Sequence, residues 1–388
     1  MRIALVRYRY TPHGGSERYL DALARGLASE GAEVRILSSS WGSGAPGAVP
    51  VETVHVPSKP APLRVLLFAR AVRRWGREHP GWLLVSLERV PGAQVYRAGD
   101  GCHAEWLSRK RRLRPAAHLL DLLRPLNRAY LSLERAMFAS DRLIAVIANS
   151  RRGKEEIVRH YGVPEEKIAV IRNGVDLSEF PPERREAAGR ALRDRHGIPP
   201  GETVFLFVGS GFARKGVGAL VDAAVRLSRA GAPFRLLVIG KGDAERYLRR
   251  AREGGAEGRI RFLGPVPGAR EYFLGADAFV FPTIYEPFSN ACLEAMAAGL
   301  PVVTTVVNGV SEVLRDGESG FLLEDPMDAA LLADRMEALL SGSLRRRMGQ
   351  AARRAAESLP QERNVQETAA LLSRAWEEMP SGGPAGLV

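Results

Sequence analysis

Ile3-Ala4-Leu5-Val6, then Pro12-His13-Gly14-Gly15, then Val34-Arg35-Ile36-Leu37: the stretch from Ile3 to Leu37 decides the fold. The first apolar run reads as a buried strand, and the Pro-His-Gly-Gly segment breaks it. From Ser16 to Glu30 the apolar residues Leu20, Leu23, Ala24 and Leu27 recur on one helical face. Gly31 ends that helix, and Val34–Leu37 is the next strand. Strand, glycine turn, helix, strand is a βαβ unit, which joins parallel strands.

Further strands are predicted at 51–56, 83–87, 94–97 and 143–148, with helices between them. A second series follows Pro181-Pro182. It has strands at Phe205–Val208, Arg235–Ile239, Ile260–Leu263, Ala278–Phe281 and Pro301–Thr304, and helices near 217–230, 290–298 and 328–340. Short apolar strands alternating with helices specify parallel sheets covered on both faces. The expected architecture is α/β, with two doubly wound, Rossmann-like domains facing a cleft. Residues 1–180 form the first and 181–360 the second. A terminal helix over 361–380 carries Val365, Ala369, Leu372 and Trp376 at helical spacing, and the tail from Pro380 is expected to be disordered.

Composition sets the outer limits. The chain has 388 residues, 45% of them hydrophobic and 26% charged, which suits soluble domains with real cores rather than disorder. No apolar run approaches the ~18 residues of a membrane span. The N-terminus lacks the h-region of a signal peptide. Cys102 and Cys292 are the only cysteines, too few for a disulfide framework or a cysteine zinc site. A reducing, cytoplasmic compartment is the expectation. The net charge of +12 is concentrated: residues 1–180 hold 29 Lys/Arg against 18 Asp/Glu, and the remainder 27 against 26. Such asymmetry points the first half toward an anionic partner, although arginine-rich composition also contributes.

Three places can carry chemistry. Gly14-Gly15 sits between a strand and a helix start, where backbone N–H groups can face a phosphate. The Gly-x-Gly-x-x-Gly fingerprint is absent, and turn geometry accounts for the pair equally well. Val208-Gly209-Ser210-Gly211-Phe212-Ala213-Arg214-Lys215-Gly216 runs from a strand into a glycine loop that delivers adjacent cations. It is no Walker motif, yet it lies where parallel sheets bind ligands. The expected work of Arg214 and Lys215 is to hold a pyrophosphate and stabilise charge on a departing phosphate. Glu286-Pro287-Phe288-Ser289-Asn290-Ala291-Cys292-Leu293-Glu294 places one acid in a loop and one a turn inside a helix. The amides of Ser289, Asn290 and Ala291 are expected to stand open to a phosphate. Glu286 would face a polar ligand, and Glu294 would reach hydroxyls such as those of a ribose. A two-carboxylate hydrolase fits less well, because there the acids flank a single bond. A capped surface helix with incidental acids remains the plain alternative.

The spacing of Glu286 and Glu294, with Ala148-Asn149-Ser150, Asn173-Gly174-Val175-Asp176 and Ala298-Gly299-Leu300-Pro301-Val302-Val303, resembles glycosyltransferase family 4, retaining enzymes of the GT-B fold. The resemblance covers nearly the whole chain. Arg7–Gly15, Val90-Pro91-Gly92, Asp100-Gly101-Cys102, Glu134-Arg135-Ala136 and Val208-Gly209-Ser210 are similar to its lipopolysaccharide core glucosyltransferase branch. Pro287-Phe288-Ser289-Asn290 follows the wider family instead.

The resemblance implies transfer of a hexose, glucose by this branch, from a UDP-sugar to a heptose of the lipopolysaccharide inner core or a related glycolipid. GDP-mannose or UDP-N-acetylglucosamine is the alternative donor. It implies Arg214, Lys215, Glu286 and Asp100 as catalytic residues. It implies Gly14, Gly15, Gly209, Val266, Phe288, Ser289, Asn290, Ala291 and Glu294 for the donor, and His103 on the acceptor side. It implies front-face attack with no covalent nucleophile, cofactor or metal, and no Asp-x-Asp or metal-spaced His/Asp cluster is present.

Residues 106–131 hold seven Lys/Arg and one acid, interleaved with leucines. Basic clusters beside amphipathic leucine stretches read as membrane-surface binders. Arg109, Lys110, Arg111, Arg112 and Arg114 are the expected contacts with an anionic membrane, which would place the chain on the cytoplasmic face. A phosphorylated glycolipid acceptor would meet the same patch, and a solvated helix is the bland reading. A non-catalytic basic protein that binds nucleic acid is the competitor of another class, although no recognition helix, RRM-like or zinc-finger pattern supports it.

Overall fold

A computed structural model describes residues 1–9, 15–40, 49–57, 60–113, 116 and 118–379. Gly14, Arg114 and the tail from Pro380 lie outside the described residues. The chain divides into two units: residues 1–172 with those from 363 onward, and residues 173–362.

The first unit has seven strands: β1 Arg2–Val6, β2 Glu33–Ser38, β3 Val51–Thr53, β4 Leu83–Ser86, β5 Val95–Arg97, β6 Ala145–Ala148 and β7 Ile168–Val170. Their order is β3-β2-β1-β4-β5-β6-β7, all parallel. The strand at 51–56 is shorter than expected. The three-residue edge strand β7 was not among the strands expected from the sequence. The helix Gly15–Ser29 connects β1 to β2 and buries Leu20, Leu23, Ala24 and Leu27, the face its spacing announced.

The second unit has six strands: β8 Thr203–Val208, β9 Phe234–Ile239, β10 Ile260–Gly264, β11 Ala278–Phe281, β12 Val302–Thr305 and β13 Gly320–Leu323. They run β10-β9-β8-β11-β12-β13, again all parallel. β11 and β12 are buried at every residue, which is why they read as continuous apolar runs rather than alternating ones. β13 went unseen because it opens on Gly320, whose missing Cβ lets it lie against the Val302 carbonyl.

In each sheet the order reverses once, beside β1 and β4 in the first and beside β8 and β11 in the second. Doubly wound sheets bind ligands outside the carboxyl ends of the strands at that reversal.

The division between units precedes the Pro181-Pro182 boundary expected from the sequence. Val175 and Phe180 belong to the second unit's core. Val175 exchanges backbone hydrogen bonds with Leu359 and Gln361, and a Cβ on Gly174 would strike Gln361. Apolar anchors, not the proline pair, set the division. The terminal helix Gln361–Glu377 packs into the first unit's core through Ala369, Leu371, Leu372 and Ala375. Tyr19 and Thr368 hydroxyls meet at 3.3 Å there, and Asn364 donates to the Arg172 carbonyl.

Candidate active site

The site in the second unit is built where β8 and β11 end. β8 runs into Gly209–Gly216. Gly209 has the Phe281 ring 3.1 Å from where a Cβ would stand, so the loop leaves the sheet pressed against β11. Gly216 has φ of 76°, and a Cβ there would collide with the Pro282 carbonyl. A side chain at 216 is excluded, and one at 209 would crowd the ring. This close approach sets Arg214 and Lys215 beside the segment that follows β11. Ile284 N and Thr283 Oγ1 both donate to the Arg214 carbonyl, at 2.9 and 3.2 Å. The Arg214 guanidinium returns a bond to the Tyr285 carbonyl at 3.1 Å.

The loop that leaves β11 then delivers Glu286. Lys215 Nζ pairs with Glu286 Oε2, and Arg214 Nη1 lies 3.5 Å from the same oxygen. Lys215 is buried, its ammonium 5.0 Å from the centre of the Phe281 ring. The Arg214 side chain is more open, 36% exposed, so one cation is held dry and the other faces solvent. Two cations and one carboxylate leave the trio with one net positive charge.

The helix Asn290–Ala297 starts alongside. Ser289 caps it, accepting from Cys292 N at 3.2 Å. The Ser289 amide is not open as expected, because it donates to Asn308 Oδ1 at 3.2 Å. The amides of Asn290 and Ala291 sit in the first turn, where a helix supplies no acceptor of its own. Asn308 is fully buried and directs this corner: its amide nitrogen donates to Thr304 Oγ1 at 3.0 Å and to Cys292 Sγ at 3.3 Å. Burial pushes the Cys292 thiol up to about 11, so it serves packing rather than nucleophilic chemistry. Glu286 forms a bridge with Asn308, which locks the acid's backbone to the end of β12. Asn173 donates to the Phe288 carbonyl at 3.3 Å and to Asn290 Oδ1 at 2.6 Å.

Glu286, Phe288, Ser289, Asn290, Ala291, Arg214, Lys215 and Gly209 are thus brought together. Phe288 is buried in the core beneath the loop. Glu294 lies half-buried further along the same helix. Val266 lies in the loop after β10, two strands from the reversal. Asn308, Thr283 and Thr305, whose hydroxyl bonds the Thr283 carbonyl at 2.7 Å, were not foreseen. Asn173 belonged to a recognised stretch, but Asn308 stands alone in sequence and gave no signal.

The first unit has its own cluster at the matching reversal, after β1, β4 and β5. Glu88 accepts from Tyr8 N at 3.0 Å and from Arg7 at 3.3 Å, and burial raises its carboxyl above the usual range. Asp100 lies 4.0 Å from Arg7 and is half exposed. Glu134, wholly buried, accepts from Arg89 Nε at 2.7 Å, from the amides of His103 and Ala104, and from the Tyr161 hydroxyl. It thereby caps the helix His103–Leu113 from a distant helix. His103 Nε2 meets Asn127 Oδ1 at 3.2 Å, and burial lowers its pKa. That ring is engaged in packing between helices. Gly15 opens the helix after β1.

The basic segment divides. Arg109 pairs with Glu105 at 2.7 Å, and Lys110 with Asp121 at 2.6 Å, both with largely buried side chains. Arg109 also reaches Glu156 of the helix Arg151–Tyr161 at 3.8 Å, so both expected membrane contacts instead tie elements within the unit together, where buried Glu105, Glu156 and Asp121 need cations beside them. Arg111 and Arg112 are exposed. No described helix is long and apolar enough to cross a membrane.

Residues 189–355 match Glycosyl transferases group 1, and residues 13–179 match Glycosyltransferase Family 4. A D-inositol 3-phosphate glycosyltransferase of Xylanimonas cellulosilytica is 31% identical over 378 residues, covering 88% of this chain and 87% of that one. The chain is a group 1/family 4 glycosyltransferase. The lipopolysaccharide glucosyltransferase WaaG of Escherichia coli K12 is 28% identical over 348 residues, covering 88% of this chain and 90% of its own. A crystal structure of WaaG, described as involved in lipopolysaccharide biosynthesis, superposes with a TM-score of 0.84 at 26% identity, covering 96% and 99% of the two chains. The fold is therefore GT-B, and this glycosyltransferase is an enzyme that transfers a hexose.

Proposed function

We propose that this glycosyltransferase moves glucose from UDP-glucose to a heptose of the lipopolysaccharide inner core or a related glycolipid, with retention of configuration and without a metal. The observation that carries the reading is the cation pair Arg214–Lys215 held against Glu286 at the carboxyl ends of β8 and β11. When the bond from the anomeric carbon to the diphosphate breaks, negative charge gathers on the leaving phosphate oxygens. Fixed cations already stand there and need no rearrangement to receive it. The amides of Asn290 and Ala291 add the positive end of a helix dipole. The acceptor oxygen then bonds the anomeric carbon and its proton leaves with the diphosphate. Glu286 would bind hydroxyls of the transferred sugar once a diphosphate competes for Lys215, and Glu294 the ribose. Among the described residues no group of three or more His, Cys, Asp or Glu is placed to hold a metal ion.

The similarity to the lipopolysaccharide glucosyltransferase WaaG along most of both chains supports glucose as the sugar and lipopolysaccharide as the acceptor. A second reading, with an inositol phosphate as acceptor, rests on the 31% identical relatives that carry that activity in their names. The discriminating assay incubates purified enzyme and chelator with labelled UDP-glucose, UDP-N-acetylglucosamine or GDP-mannose. Heptose-terminated lipopolysaccharide and inositol 3-phosphate are the two acceptors. Label entering the lipopolysaccharide from UDP-glucose alone supports the first reading; label on inositol phosphate replaces it with the second.

Work at a membrane face belongs to the same proposal. Leu119, Leu120 and Leu123 are 67%, 66% and 58% exposed on the helix His118–Leu123, close in sequence to exposed Arg111, Arg112 and Arg124. Apolar side chains beside cations suit an anionic lipid surface. Replacing Arg111 and Arg112 with Ala should weaken sedimentation with phosphatidylglycerol vesicles. Unchanged sedimentation would remove that part.

A further inference from the structure

The helix Gly342–Glu357 carries Arg345, Arg346, Arg353 and Arg354, with Gly349 between them. These four arginines, with Arg185, line a cavity of about 510 Å3 in the second unit. The cavity opens near Asp277 and Gly299, which precede β11 and β12, at the strand ends opposite the candidate active site.

The charges there are not balanced. Arg185 donates to the carbonyls of Ala298 and Ala276, and Arg345 to Thr203 Oγ1 and the carbonyls of Leu339 and Leu340. All are neutral acceptors. Arg353 donates to the Phe180 and Ala297 carbonyls as well as to Glu357. The one acid lining the cavity, Asp277, is engaged by Arg193 at 2.6 Å and by the Val204 amide at 2.8 Å. Among the described residues no carboxylate is paired with Arg185, Arg345, Arg346 or Arg354. Two helix ends, at Ala298 and Leu339, each contribute about half a negative charge, far less than the guanidinium total. Anchoring those helix ends explains Arg185, Arg345 and Arg353. It does not explain Arg346 and Arg354, which are exposed at the rim. Guanidinium groups present planar forks that match phosphate oxygens.

We propose that this cavity is a second anion site, which takes a small ligand bearing two or more phosphate charges. It is separate from the donor site and stands whether or not the donor reading holds.

Inorganic tripolyphosphate is the probe, titrated calorimetrically into wild type, K215A and R346E/R354E at low salt. Both arginines are exposed, so the double variant should melt as wild type does. One binding event should weaken by about tenfold or more in R346E/R354E, the loss of at least one charge-assisted hydrogen bond. The same event should persist in K215A, where only donor-site binding is impaired. Binding by R346E/R354E equal to wild type, or loss of all binding in K215A, would overturn the proposal. In K215A, displacement of the probe by phosphatidic acid vesicles assigns the phosphates to a lipid headgroup, and displacement by nucleotide alone assigns them to a soluble ligand.

Discussion

The two sheets reverse in the same way, yet the corners at their reversals are chemically unlike. Beside β8 and β11 two cations share one carboxylate, and the more exposed of them faces solvent. Beside β1 and β4 each arginine meets its own acid, Arg7 with Glu88 and Arg89 with Glu134, and those acids also cap backbone amides. In the second unit two cations meet at one carboxylate, and the proposed diphosphate would compete for them. The first unit's corner uses its ions as braces that hold loops and a helix start in place. Topology selects where a site can be, and the ratio of acids to bases selects what it can do.

Mutations should separate the two corners. Lys215→Ala and Glu286→Gln should each lower turnover by about 10²–10³-fold, the cost of removing a preorganised charge contact. The larger effect should be on turnover, with a smaller loss of stability from breaking the buried Lys215–Glu286 pair. Steady-state transfer assays check this, and turnover near wild type in either variant would break the contrast. Glu134→Gln should do the reverse. It leaves Arg89 buried without its carboxylate, at a cost of about 3–5 kcal/mol. Denaturant unfolding should show that loss, and a stability equal to wild type would mean that the first corner is not a brace.

Asn308→Ala sharpens the comparison within the active corner. It removes partners of the Ser289 amide and Cys292, at about 1–3 kcal/mol. Iodoacetamide labelling read by mass spectrometry should show Cys292 protected near pH 8 in wild type and labelled faster in the variant. The smallest effect concerns His103. Its pKa is lowered by burial, so the unfolded chain binds more protons below the ordinary value of 6.5. Stability is therefore present above about pH 6.5 and declines as pH falls through the window beneath it. His103→Gln should reduce that decline in thermal melts between about pH 5 and pH 7.5, and an unchanged decline would assign it to other groups.

Much of this was legible in the residues. Continuous apolar runs such as Ala278–Phe281 announced buried parallel strands, and the helices at 217–229 and 290–297 fell where their spacing put them. Arg214, Lys215 and Glu286 were readable because each lies in the loop that leaves a clearly apolar strand. What the sequence hid depends on distance along the chain. Asn308 reaches Ser289, and Glu134 reaches His103, from separate elements, and no periodicity marks such partners. The basic segment misled in part because charge counts do not reveal which side chains turn inward. Arg109 and Lys110 meet Glu105 and Asp121, whereas Arg111 and Arg112 stay out.

In the proposed reaction the cations after β8 bind the diphosphate of a nucleotide sugar. The most direct test is calorimetric titration of UDP into wild type and Lys215→Ala, with chelator present throughout. Wild type should bind saturably in the presence of chelator, and the variant at least about tenfold more weakly, as loss of one charge-assisted hydrogen bond requires. Equal affinity in both proteins, or wild-type binding that vanishes with the chelator, would contradict that role of the cations.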